Sequence, residues 1–119
     1  MTNHKLVLPE FLNQYGFLFG GYLLKWVDEY AWIAATLDFP ACNFVTIAMD
    51  KVEFRRTVRQ GVILQFEAFR ERTGRTSADY RVVVEDASAP RDSAEPIFST
   101  LVTLVRVDAD GCKLQLSDS

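Results

Sequence analysis

The chain has 119 residues, 49% apolar and 24% charged, with a net charge of −3. That length suits a single domain, 1–119, and leaves no room for a cofactor domain beside a catalytic one. Lys25 and Asp28 interrupt the most apolar stretch, which excludes a membrane helix; the first residues lack the apolar core of a signal peptide, so a cytoplasmic location is expected.

In chain order, Leu6 to Leu8 can form a short first strand. Gly20 to Leu37 reads as the one long helix, about 25 Å at the usual rise per residue. Leu23, Leu24, Trp26, Val27, Tyr30, Ala31, Trp32, Ile33, Ala34 and Leu37 surround most of it, leaving Lys25, Glu29 and Thr36 as a narrow polar stripe. A helix this apolar has to be wrapped by other elements. Pro40 ends it by disfavouring helical backbone at Phe39. The period then drops to two: Val45, Ile47 and Met49 alternate with polar or small residues, and a slip of phase to Val52 and Phe54 predicts a bulge near Asp50. Val62 to Ala68 and Tyr80 to Val84 form further strands around a turn at Gly74; a loop from Asp86 to Pro96 leads to a last strand, Ile97 to Val107. Residues from about 108 to 119 read as a turn and a loose tail. One helix followed by hairpin-linked strands predicts an α+β domain of hot-dog type, a long helix wrapped by a five- to six-stranded antiparallel sheet. A cystatin-like or cone-shaped helix-on-sheet fold shares that order of elements.

The only histidine, His4, sits near an N-terminus expected to fray, so a Ser-His-Asp or Cys-His unit has no well-held imidazole. Cys42 and Cys112 are isolated, as reduced structural thiols are, and no metal site is expected. Any proton chemistry then falls to a carboxylate. The acidic balance argues against general nucleic-acid binding. Charge is uneven, however: Lys51 to Arg81 holds eight basic and four acidic residues, +4, which leaves −7 elsewhere. Such a basic middle suits a small phosphorylated ligand, although arginines on solvent faces of strands give the same count.

Gly20 and Gly21 open the helix. They either permit tight packing or let a reacting group approach free N–H groups at the positive end of the helix dipole. Asp28, seven residues past Gly21, shares a face with Gly21, Leu24, Ala31 and Ala35; three of these four are small, which leaves room beside it. It is either a solvated helix charge or a partly buried acid beside a cavity; Glu29 falls in the solvated stripe. Eight residues separate Gly20 from Asp28, about 12 Å along one helix. A single chain therefore cannot aim both at one carbonyl, whereas two antiparallel helices in a dimer can.

At these residues a family becomes visible. Asn13-x-x-Gly16-x-x-Phe19-Gly20-Gly21-x-Leu23, followed by Asp28, resembles the loop and helix of hot-dog acyl-CoA thioesterases, with most likeness to the bacterial and brain-type cytosolic acyl-CoA hydrolases. Phe44-Val45-Thr46-Ile47, Glu53-Phe54-Arg55-Arg56-Thr57-Val58 and Gly74-Arg75-Thr76-Ser77 are similar to that group's later elements. The resemblance implies hydrolysis of an acyl-CoA without a cofactor, coenzyme A being part of the substrate. It implies Asp28 as general base or nucleophile, Asn13 from the opposite subunit as an orienting group, and the Gly20 N–H as oxyanion donor. Arg56 and the Arg75-Thr76-Ser77 turn would meet the CoA phosphates, with Arg55 or Arg59 assisting. Dimers associating into tetramers or hexamers are implied as well. The chain departs from the family at Thr57, where proline is usual, at Val62 after Gly61, where an acidic residue is common, and at Trp32, where a threonine is usual. A non-catalytic acyl- or CoA-binding module on the same fold is the alternative.

Overall fold

A computed structural model describes residues 1–89 and 96–116. β1 (Thr2–Leu6) leads through a 3-10 turn (Pro9–Phe11) to α1 (Gly20–Asp38), then β2 (Asn43–Asp50), β3 (Ile63–Thr73), β4 (Ser77–Asp86) and β5 (Phe98–Val107). The strands form one antiparallel sheet in the order β1-β3-β4-β5-β2. This is the expected helix-on-sheet architecture, with β1 and β2 as its two edges.

Backbone chemistry sets the helix bounds. The helix ends one residue later than expected, at Asp38, and Phe39 before Pro40 has left helical geometry. Leu23, Trp26, Val27, Ala31, Ala34 and Ala35 are buried against the sheet, and the alanines let the backbones approach closely. From the sheet, Leu64, Phe66, Ala68, Ala78, Tyr80, Val82, Val84, Phe98, Val102 and Leu104 face them in alternation. Full burial of a side chain such as Leu23 or Val27 contributes about 1.5–3 kcal/mol. The expected wrapping is incomplete: Trp32 stays 43% exposed and Leu37 68%.

Several elements differ from expectation. The first strand is Thr2–Leu6 rather than Leu6–Leu8, and its pairing with β3 places His4 opposite Gln65 in an ordered edge strand instead of a frayed end. In β2 the register shifts between Thr46 and Ala48, earlier than the bulge expected near Asp50. Along this strand Phe44 is buried while Val45 and Ile47 are exposed. Val52 and Phe54 lie outside any strand. Lys51 turns the chain with φ 46°, and the Phe54 ring stacks on Phe98 with centroids 5.4 Å apart, so its apolar surface caps a sheet end rather than joining a ladder. Thr100 Oγ1 donates to the Asp50 carbonyl and the Leu101 N–H to Asp50 Oδ1, which fastens β2 where it ends. The tail is not loose over 108–116: Leu114 N–H reaches the Arg106 carbonyl, Leu116 N–H the Arg75 carbonyl, and Leu116 is buried. Residues 90–95 of the expected loop and 117–119 of the tail lie outside the described residues.

At the helix C-terminus the buried Tyr80 hydroxyl donates to Asp38 Oδ2 at 2.5 Å. Burial, then the hydrogen bond to Asp38 and its charge, push the phenol well above its ordinary range, with Arg70 opposing. A group held protonated in the fold contributes fully below the unfolded tyrosine value of about 10 and progressively less above it. Tyr80→Phe is expected to cost about 1 kcal/mol in urea unfolding at neutral pH and to remove part of the stability loss above about pH 10.

Candidate active site

The segment before α1 folds as a small hairpin. Leu12 and Leu18 bridge, the Asn13 N–H donates to the Phe17 carbonyl, and Gly16 closes the turn at φ +84°, which suits only glycine without strain. Asn13 Oδ1 accepts the N–H groups of Tyr15 at 2.9 Å and Phe17 at 3.2 Å. With its oxygen committed to the loop, the side chain keeps Nδ2 as the end that can donate elsewhere.

The loop delivers the chain to an uncapped helix start. Phe19 at the cap position has no acceptor side chain, and its own N–H is taken by the Phe11 carbonyl. No partner for the Gly20 or Gly21 N–H is found among the described residues. The Phe54 ring covers Gly20 so closely that an added Cβ would lie 3.0 Å from Cζ. A side chain at position 20 would press on that ring.

Asp28 lies half-buried in mid-helix, where Thr46 Oγ1 donates to Oδ1 at 2.5 Å. One helical turn on, Trp32 Nε1–H donates to the Phe44 carbonyl at 3.2 Å. These two contacts show that α1 runs antiparallel to the edge strand β2 and that Asp28 lies on their seam. Ala31 and Ala35, expected to leave room beside Asp28, are fully buried and spend their small size on packing. Glu29 is exposed, as its stripe suggests. Thr46 was not singled out as a site residue by sequence reasoning, which noted only the alternation of Val45 and Ile47 with polar or small residues. Giving Phe44 the inward position would have turned Thr46 toward the helix with it.

The arginines divide into two groups. Arg55 N–H binds the Ile97 carbonyl, and Arg59 bridges to Phe17 with its guanidinium 5.3 Å over that ring. Both belong to the sheet end where α1 begins. There Arg56, Thr57, Val58, Arg59, Val62, Asp86 and Ile97 line an open recess of about 180 Å³. Arg75, Thr76 and Ser77 form the β3–β4 turn at the other end, closed by the Gly74 N–H on the Ser77 carbonyl and tied to β5 through Arg106. Since Ser77 pairs with Val105 and Val84 with Phe98, seven residues of β4, about 23 Å, part the two groups. Gly20 and Asp28 likewise stand about 12 Å apart along α1. Within one chain the expected site residues are thus positioned but not assembled.

Among the described residues no helix is long and apolar enough to cross a membrane. Residues 15–90 match the family model described as the thioesterase superfamily. Over 107 residues the chain is 33% identical to an uncharacterized acyl-CoA thioester hydrolase of Zymomonas mobilis, covering 88% of this chain and 70% of that protein. It is 31% identical over 104 residues to the human cytosolic acyl coenzyme A thioester hydrolase; the match covers 83% of this chain and only 27% of the human protein's length. Among solved structures, a hexameric hotdog fold thioesterase of Campylobacter jejuni superposes with a TM-score of 0.83 at 31% identity, covering 98% of this chain and 89% of that one. With the helix, the strand order and both kinds of relative in agreement, the chain belongs to the thioesterase superfamily and has the hot-dog fold.

Proposed function

We propose that the protein hydrolyses acyl-CoA thioesters at a site shared by two copies of the chain. The observation that carries this reading is the Asp28 carboxylate held by Thr46 on the α1–β2 seam, about 12 Å along the helix from the Gly20 amide, which has no partner among the described residues. The seam lies at an open sheet edge flanked by exposed Trp32, Val45 and Ile47, the surface a second copy would cover. Antiparallel α1 helices across a two-fold axis bring Gly20 of the partner subunit to Asp28.

Thr46 occupies Oδ1, so Oδ2 is the oxygen left for chemistry. As general base, Asp28 takes a proton from water while the water oxygen bonds to the thioester carbon; the C–S bond then breaks and the proton passes to the CoA sulfur. As nucleophile, Asp28 itself bonds to the thioester carbon and the C–S bond breaks to release CoA thiolate; water then cleaves the resulting anhydride, restoring the carboxylate and releasing the acid, whose proton neutralises the thiolate. The Gly20 N–H of the partner subunit binds the oxyanion, a donor worth about 3 kcal/mol, and its Asn13 orients water or the thioester through Nδ2. No cofactor takes part. The Arg55, Arg56 and Arg59 group and the Arg75, Thr76 and Ser77 turn bind the CoA phosphates; a CoA that meets both is held by more than one subunit. Assembly of such dimers into hexamers is supported by the hexameric Campylobacter relative, the acyl-CoA substrate by the relatives' names, and cytosolic placement by the human relative's name.

A thiol-release screen across short, medium, long and aromatic acyl-CoAs tests this reading. Turnover of at least one class is expected from the wild-type protein. Acyl-CoA binding without thiol release from any of them would instead make the chain a non-catalytic binding module.

A further inference from the structure

We propose that Trp32 is the wall that ends the acyl pocket and selects for short acyl groups, an inference that rests on the acyl-CoA hydrolase reading. Asp28 and Trp32 are neighbours one helical turn apart, about 5–6 Å between Cβ atoms. Both are anchored on β2, Asp28 by Thr46 and Trp32 by the carbonyl of Phe44, two residues away and so about 7 Å along the strand. The indole therefore stands beside the carboxylate on the same seam, and any group bonded to a carbonyl carbon at Asp28 that runs toward the helix C-terminus meets it within a few bonds.

The face it presents fits hydrocarbon. Its only polar atom, Nε1, is already bound to Phe44, yet the side chain remains 43% exposed. The Arg75 turn at this end joins β3 to β4, and β4 is two strand spacings, about 10 Å, from β2. The hydrogen bond to Phe44 also makes the indole a fixed wall rather than a mobile one, so extra methylenes have to displace a held ring. Apolar pockets discriminate chain length by about 10- to 200-fold per methylene.

The test measures kcat/KM for acetyl-, butyryl-, octanoyl- and palmitoyl-CoA with the wild type, Trp32→Ala and Trp32→Phe. The wild type is expected to favour the short chains. Trp32→Ala is expected to raise the palmitoyl-to-butyryl ratio at least about tenfold, whereas Trp32→Phe, which keeps a ring but loses the N–H that holds it, falls between wild type and Trp32→Ala. An unchanged ratio in Trp32→Ala, or a uniform fall for every chain together with loss of the dimer by light scattering, would overturn the role assigned to Trp32 while leaving the hydrolase reading in place. No thiol release from the wild type with any substrate would remove the hydrolase reading and this inference together.

Discussion

Asp28→Asn is expected to lower turnover on the preferred acyl-CoA by about 10²–10⁴-fold, the range for loss of a positioned base. The change is nearly isosteric. The introduced amide still offers an Oδ1 acceptor to Thr46, so the α1–β2 seam keeps the hydrogen bond it has now. Asp28 is half-buried rather than sealed in the core, so removing its charge leaves no isolated buried ion behind. The melting temperature should then stay within a few degrees of wild type while the rate collapses. A variant as fast as wild type would take Asp28 out of the chemistry, whereas one that unfolds would point to a structural role for its charge.

Gly20→Pro is expected to cost about 10²–10³-fold in turnover, the loss of one oxyanion donor. Proline at this position removes the N–H without breaking the helix, because Gly20 is the first helical residue, where that amide has no intrahelical partner. Phe19 before it is already extended, φ −69° and ψ 128°, as a residue preceding proline should be. The new ring does press on Phe54, whose Cζ lies 3.0 Å from an added Cβ. Gly20→Ala supplies the control: it imposes the same contact but keeps the amide, and the half-exposed Phe54 ring can yield. Alanine should therefore stay within about tenfold of wild type, while proline falls well below it. Equal losses in the two variants would assign the effect to Phe54 and not to the N–H.

Much of the fold was legible because its determinants are local. Gly20 and Pro40 bracket the helix to within a residue, and the alternation in β4 and β5 with the turn at Gly74 gave the hairpins. β2 misled because it is an edge strand. Its apolar Val45 and Ile47 face away from the chain's own core, so their alternation with polar or small residues did not single out Thr46. The period-two pattern at Val52 and Phe54 likewise marks a ring stacked on Phe98 rather than a ladder. The tail looked loose since its anchors are backbone groups of Arg75 and Arg106, which no composition reveals. For the candidate site, Gly20 and Asp28 stood out by spacing and Asn13 by resemblance to the family, and the distance between Gly20 and Asp28 already demanded a second chain. The separation of the Arg56 and Arg75 groups was invisible, since it depends on strand register across β4 and β5.

Complementation between two impaired chains tests the shared site most directly. Asp28→Asn and Gly20→Pro each disable both sites of their own homodimer. A mixed dimer regains one intact site, built from the unaltered Asp28 of one chain and the unaltered Gly20 of the other. With random assortment half of the dimers are mixed, so co-expressed chains should show about a quarter of wild-type activity, far above either parent. If acid and amide instead served the same chain's site, every chain in the mixture would carry one defect, and activity no higher than the average of the two parents would contradict the account.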